Sequence, residues 1–454
     1  MNRVLIANRG EIACRIIRSC KALGIETVAV YSEADAGALH VELADGAEPI
    51  GPPAARQSYL DMDAVLAAAR AAQADAIHPG YGFLAESPRF AERVIEDGLI
   101  WIGPRPKTIE DMGDKERARL LAKAAGVPVL PGSPRFGPHD VAGLAEEAAR
   151  IGYPLLVKAA AGGGGIGMQR VDGPDKLVTV VESTQKMAER AFGDGTVYLE
   201  RLVARARHVE IQIMGFGNGH AVHLFERDCS VQRRFQKIIE ESPAPGLPEE
   251  TRRQMAEAAA ALAAQERYAG AGTVEFVLDA ETGEFFFLEM NTRIQVEHPV
   301  TEMITGLDLV ELQLRLARGD DLSSLTQETI RPRGHAIECR IYAENPARMF
   351  LPSPGKLAVF RLPDASPGLR LDTGVREGDQ ITPHYDPMIA KLIAHGPDRK
   401  AAIARAREAL RAVAIEGIHT NVPFLIKTLG HPAFVAGDVH TGFVEAHRAE
   451  LVAA

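Results

Sequence analysis

The chain has 454 residues, 46% of them hydrophobic and 25% charged, and carries a formal net charge of -10. That length exceeds what one hydrophobic core usually holds, so about two to four domains are expected of an ordinary globular chain rather than a disordered one. The acidic balance argues against a general binder of nucleic acid or of anionic membrane, so an anionic ligand has to be held by a local cluster of cations.

The first segment reads as a strand over 4–7, a turn at Asn8-Arg9-Gly10-Glu11, an amphipathic helix over 12–23 stopped by Gly24, and a strand over 27–31. The alternation continues through 75–82 and 99–103, predicting a parallel α/β unit, Rossmann-like in its layering, that ends near residue 114. The turn after the first strand has one glycine, so the dinucleotide fingerprint is absent. A helix over 114–125 leads into a proline-rich hinge at 126–134. A central unit follows, with a helix over 141–151, strands over 155–158 and 197–200, and a loop at 162–167 that is glycine at five of six positions. Two hairpins come next, 207–214 with 220–226 and 272–279 with 284–290, then one helix over 301–318. The last part, from 334 to about 429, has short strands, proline-rich turns and a helix over 400–413, and reads as an α+β cap.

Cys14, Cys20, Cys229 and Cys339 have no C-x-x-C spacing, which points to reduced thiols rather than a disulfide framework or metal cluster. No segment approaches the ~20 apolar residues that span a bilayer, and the chain opens directly on a strand, so a soluble cytoplasmic protein is expected.

The chemistry concentrates in three places. Without Cβ atoms, the glycine loop can bring backbone N–H groups against a polyphosphate that Lys158 neutralises, although no Gly-Lys-Ser/Thr follows as in a Walker A loop. Glu275 and Glu289 lie on the two strands of one hairpin, where they can face each other at a Cβ separation near ~5 Å. A divalent cation between them relieves the repulsion, and Asn291 offers a further oxygen. The run 285–299 then sets Glu289, Asn291, Arg293, Gln295 and Glu297 at alternate positions, so a continuing strand puts all five on one face. Upstream, Arg233, Arg234 and Lys237 form a cationic patch in an acidic chain, either a solvated charge run or an anion site.

These segments resemble the biotin carboxylases, members of the ATP-grasp enzymes. The likeness runs over nearly the whole chain, from Ile6-Ala-Asn-Arg-Gly-Glu11 through His78-Pro-Gly-Tyr-Gly-Phe-Leu84, Met112-Gly-Asp-Lys115, Glu226-Arg-Asp-Cys-Ser-Val-Gln232 and Glu289-Met-Asn-Thr-Arg-Ile-Gln-Val-Glu297 to Tyr385-Asp-Pro-Met-Ile-Ala-Lys391. The resemblance implies three parts: an N-terminal domain over 1–114, an ATP-grasp domain over 115–330 with a mobile glycine-rich lid over 131–203, and an α+β C-terminal domain over 331–454. It also implies that Lys115, Lys158, Gly164, Gly165, Glu200, Arg201, Leu202, Val203, His208 and Gln232 surround ATP. Glu275, Glu289 and Asn291 would hold Mg²⁺ or Mn²⁺. Lys237, Arg293, Gln295 and Val296 would bind bicarbonate, Glu297 would be the general base, and Arg340 would stabilise the biotin enolate.

Two positions depart from the family pattern. Phe235 stands where a histidine is most often found, and Ile166 replaces a basic residue of the glycine loop. A Met-Lys-Met carrier motif is missing, so biotin is expected on a carrier protein or domain outside this chain, with a carboxyltransferase as further partner and a homodimer as the assembly. A subunit of acetyl-CoA carboxylase is the leading setting, with another acyl-CoA carboxylase open. The rival readings are a different ATP-grasp carboxylate ligase and a non-catalytic nucleotide-binding relative.

Overall fold

The computed structural model describes residues 1–160 and 167–452. Most of the glycine loop, with Gly164, Gly165 and Ile166, therefore lies outside the described residues.

The opening alternation folds into a five-stranded parallel sheet. Its order is Gly46–Gly51, Glu26–Ser32, Arg3–Ile6, Ala76–His78 and Ile100–Trp101. Helices cover both faces, which is why the strands read as unbroken apolar runs. Val4 and Ile6 pack with Ile12 and Ile16 of the Gly10–Ala22 helix on one side, and Leu5 packs with Leu66 and Phe90 on the other. Gly374, far along the chain, rests on the start of that first helix: a Cβ there would meet the Gly10 carbonyl carbon at 2.3 Å, so the approach requires glycine.

A small antiparallel sheet of Met168–Val171, Leu155–Ala159 and Val197–Arg201 is flanked by helices Leu144–Ile151 and Leu177–Phe192. Leu155, Val157, Val181 and Leu199 give it a core of its own.

The central sheet has eight strands, antiparallel throughout. Its order is Phe285–Asn291, Ala269–Asp279, Ala206–Phe216, Ala221–Arg233, Gln236–Ser242, His335–Tyr342, Met388–Gly396 and Leu369–Thr373. The last three strands come from the region expected to form a cap; they extend the central sheet across a boundary that local pattern suggested. The Gln236–Ser242 strand pairs with His335–Tyr342 about a hundred residues on, a contact no local periodicity reports.

The helix expected over 301–318 is two helices, His298–Thr305 and Leu309–Arg318. Gly306, at φ +73°, ends the first in a left-handed cap, and the Asp308 side chain accepts from the Glu311 N–H at 2.7 Å to start the second.

Candidate functional site

Five neighbouring strands of the large sheet, from Ala269–Asp279 to His335–Tyr342, build one polar cluster with the loop that carries Glu297. Lys237 donates from Nζ to Glu210 Oε2 at 2.6 Å, Glu275 Oε1 at 2.8 Å and Glu297 Oε1 at 2.7 Å. The other Glu297 oxygen accepts from Arg340 Nη2 at 2.9 Å. Burial works against the Lys237 charge, but the three carboxylates outweigh it and hold the ammonium well above its ordinary pKa. Burial likewise opposes ionisation of Glu297, yet Lys237, Arg340 and Arg227 keep its carboxyl far below the usual range. A buried carboxylate flanked by two cations is thus ionised and aimed.

Arg227 is the hub under this cluster. Its guanidinium is fully buried and donates to Glu210 Oε1 (2.6 Å), Gln212 Oε1 (2.6 Å), Thr301 Oγ1 (3.0 Å), Thr273 Oγ1 (3.1 Å) and Gln295 Oε1 (2.7 Å). The planar fork reaches acceptors on three other elements and a loop at once, which a point-charge lysine does not do.

Glu275 and Glu289 do face each other across the hairpin, in register as expected. The irregularity next to them, where Leu288 is extra, turns the Glu289 end toward solvent. Glu275 is saturated. It accepts at Oε1 from Lys237, Asn291 Nδ2 (2.9 Å) and Gln295 Nε2 (2.7 Å), and its Oε2 lies 2.7 Å from His208 Nε2. Burial opposes its charge, but Lys237 and His208 hold it well below the ordinary value. Glu289 is the opposite case: crowding by protein and then the Glu275 charge push its carboxyl up, although the side chain still reaches solvent. An acid raised by a like charge opposite it, with only oxygen donors at Glu275, Glu289 and Asn291, fits a hard divalent cation.

The five-residue polar row does not exist as a strand face. The strand stops at Asn291, and Arg293, Gln295 and Glu297 come from a loop that ends as the N-cap of the His298–Thr305 helix. They converge by individual anchoring instead. Arg293 donates to Asn291 Oδ1 at 2.9 Å and is tied by Nε to Glu86 at 2.9 Å. Gln295 bridges Arg227 and Glu275. The Val296 carbonyl accepts from buried Lys391 at 2.8 Å, whose Nζ also lies 3.1 Å from Glu11.

On the far side, Lys158 is paired with Glu200 across the small sheet. Arg201 pairs with Glu284 at 3.0 Å, and beyond Leu202 the buried Val203 packs with Leu130 and Phe286, on the strand that bears Glu289. Gln232 donates to the Cys229 carbonyl at 2.8 Å and lies 2.9 Å from His208 Nδ1. Burial lowers the His208 pKa, but Glu275 more than compensates and raises it. Lys115 opens the Lys115–Ala124 helix, which Asp114 caps. Phe235 is 71% exposed at the tip of a tight hairpin in which Arg234 and Phe235 both have positive φ, at 48° and 64°.

Sequence reasoning missed Glu86, Glu210, Arg227 and Lys391. The one local signal was a charge inside an apolar strand, at Glu210 and Lys391; Arg227 lies in the charged run Glu226-Arg227-Asp228, and Glu86 sits in a loop.

The sequence matches three family models: "Biotin carboxylase, N-terminal domain" over residues 1–109, "Carbamoyl-phosphate synthase L chain, ATP binding domain" over 114–325 and "Biotin carboxylase C-terminal domain" over 338–446. Biotin carboxylase 2 of Bacillus subtilis is 51% identical over 446 residues, covering 98% of this chain and 99% of its own length. The chain belongs to the biotin carboxylase family. The mitochondrial methylcrotonoyl-CoA carboxylase alpha subunit of Mus musculus is 50% identical over 452 residues; this biotin carboxylase chain spans 63% of that subunit's length. Among solved structures, the biotin carboxylase domain dimer of Hydrogenobacter thermophilus 2-oxoglutarate carboxylase, in complex with MgADP, ADP and bicarbonate, superimposes with a TM-score of 0.91 at 44% identity, covering 100% of this chain and 99% of its own. The Campylobacter jejuni biotin carboxylase, solved with a nucleotide, gives 0.91 at 43% identity, over 98% and 99% of the two chains. No helix among the described residues is long and apolar enough to cross a membrane.

Proposed function

We propose that this chain carboxylates the ureido nitrogen of biotin on a biotin carboxyl carrier protein, using ATP and bicarbonate, as the first half-reaction of a biotin-dependent carboxylase. The observation that carries this reading is the sharing of Lys237 between Glu275 and Glu297, which sets an ionised carboxylate and an anion-binding cation beside a carboxylate pair fit for a metal. In this reading Lys115, Lys158, Gly164, Gly165, Glu200 to Val203, His208 and Gln232 are the residues that surround the nucleotide. Glu275, Glu289 and Asn291 would hold Mg²⁺ or Mn²⁺, which neutralises triphosphate charge when bound.

Bicarbonate sits between Lys237 and Arg293, with Gln295 and Val296 fixing its plane. Glu297 takes its proton while a bicarbonate oxygen attacks the γ-phosphorus, giving carboxyphosphate and ADP. Arg293 has a partner to leave, Glu86, and Lys237 exchanges one carboxylate for the substrate, so neither cation is stranded in the dry pocket. Breakdown of carboxyphosphate releases CO₂ and phosphate; the phosphate removes the biotin N1′ proton, and Arg340 stabilises the enolate that captures CO₂. Exclusion of water protects the intermediate.

The same reading divides the chain near 114 and 330, makes the enzyme a homodimer, and sets it in the cytoplasm with a biotin carrier and a carboxyltransferase as partners. The acceptor is set by the partner carboxyltransferase: methylcrotonoyl-CoA carboxylase and pyruvate carboxylase subunits are similar to this chain at 50% and 51% identity alike. Measuring ADP release with bicarbonate, with and without free biotin, tests the activity. Stimulation by biotin is expected, and ADP release indifferent to biotin would replace this reading with another ATP-grasp ligase.

A further inference from the structure

Beneath the anion seat the sheet carries a second pair of acids that the reaction above does not use. Glu240, on the Gln236–Ser242 strand, stands directly opposite Glu338, on the His335–Tyr342 strand. Directly paired residues project from the same face with Cβ atoms about 5 Å apart. Both side chains are fully buried, and none of their four carboxyl oxygens has a hydrogen-bond donor among the described residues.

The charges that face the pair come from each element packed around it. Arg340, two residues beyond Glu338 on the same face, has its Nε 2.6 Å from Glu240 Oε1, off the hydrogen-bonding line, while its Nη2 donates to Glu297. Lys391, the cross-strand partner of Arg340, is already engaged by Glu11 and the Val296 carbonyl. Glu297, Glu210 and Lys237 complete the surroundings. Two bare carboxylates this close in a dry layer, with one shared guanidinium, do not both ionise. Burial acts on each in the same direction, raising Glu240 up to about 7 and Glu338 well above the ordinary range.

We propose that Glu240 and Glu338 hold one proton between them, so that the pair carries a single negative charge that balances Arg340 and keeps its Nη2 aimed at Glu297. The proton belongs to the pair rather than to either residue. Both acids are positioning residues, since they act through Arg340 and touch no reacting atom. An acid pair of one charge supplies the counter-ion that Arg340 needs; two ionised acids would draw the guanidinium off Glu297, and none would leave it to Glu297 alone.

The kinetic half of this inference rests on the proposed activity, whereas the proton itself is read in the resting protein. Infrared difference spectra of the whole chain, taken between neutral and alkaline pH, are compared for wild type, Glu338→Gln and Glu240→Gln. The wild type is expected to show a protonated-carboxyl C=O band that disappears on alkalinisation. In Glu338→Gln the amide takes the place of the neutral acid, Glu240 ionises beside Arg340, and one carboxyl's worth of that band is lost. In biotin-dependent ADP release, Glu338→Gln is expected to keep kcat within about threefold, and Glu240→Gln, which takes away the acid that stands 2.6 Å from Arg340 Nε and leaves only the more distant Glu338, to lose about tenfold or more. A band that persists unchanged in Glu338→Gln, or is absent from the wild type, overturns the shared proton. A Glu240→Gln enzyme as fast as wild type overturns the positioning role. Should the band behave as expected while no variant and no wild type responds to biotin, the activity reading falls and the proton pair stands.

Discussion

Replacing Arg227 with methionine removes the hub on which the candidate site is built. The side chain is close in length, so the loss is one of hydrogen bonds and charge rather than of volume. Five donated bonds go, to Glu210, Gln212, Thr273, Gln295 and Thr301. The two threonine hydroxyls can rotate to other acceptors. Glu210 Oε1, Gln212 Oε1 and Gln295 Oε1 cannot, and each becomes a dry acceptor facing a thioether. At about 1–3 kcal/mol for each stranded group, and with the penalty of a broken buried pair in the same range, the expected destabilisation is about 4 kcal/mol. That is a large share of the 5–15 kcal/mol or so that holds a typical domain. Urea denaturation followed by far-ultraviolet circular dichroism is the assay, and Arg227→Lys, which keeps a charge near Glu210 but not the fork, should recover a minor part. Gln295 also loses its anchor, so the KM for bicarbonate should rise in the lysine variant while the KM for ATP changes little. A midpoint shift in the methionine variant worth less than about 1 kcal/mol would refute the hub argument.

Three further outcomes are expected. Glu289→Gln removes the acid that Glu275 repels, so the metal-free protein should melt at a higher temperature while the apparent Kd for magnesium nucleotide rises roughly tenfold; calorimetry that finds metal binding unchanged rules out Glu289 as a ligand. Phe235→His relieves an unfavourable positive φ, since histidine is more often tolerated there, and restores a ring nitrogen at the hairpin tip; ATP titration should show tighter binding, and unchanged or weaker affinity removes that idea. Acid should weaken the N-terminal unit through His40 and His78. Burial lowers their pKa from 6.5 to about 4 and about 3, so both are neutral when folded. The unfolded chain gains protons below 6.5, so stability is level above that pH and falls as pH drops toward 4, by up to about 1.4 kcal/mol per pH unit for each histidine. Denaturation curves for His78→Asn should fall less steeply over that interval, and an unchanged slope counts against the assignment.

The parallel sheet, the two hairpins and the Glu275–Glu289 pairing were legible because each is set by pattern within a few tens of residues: apolar runs, turn residues and alternation. The alternation misled at Arg293, Gln295 and Glu297, where polar residues keep a period of two after the strand has ended. Each is held by a different partner, Glu86, Arg227 and Lys237, and none of those partners is local. Gly306 and Asp308 marked the break in the helix after residue 305, but the apolar period on either side of them masked it. The joining of the last three strands to the central sheet depends on a pairing between 236–242 and 335–342, which carries no signature in either segment alone. Arg227 illustrates the same limit: its five acceptors come from 210, 212, 273, 295 and 301, and only the fold brings them together.

The continuity of the eight-stranded sheet has a kinematic side. Lys237 and Arg340 stand on neighbouring strands, so the gap between them is set by ladder hydrogen bonds that have no joint. The small three-stranded sheet bearing Lys158 has its own core and, among the described residues, no ladder bond to the large one. A rocking of the small sheet would therefore leave the spacing between Lys237 and Arg340 unchanged, as a jaw moves over a fixed anvil.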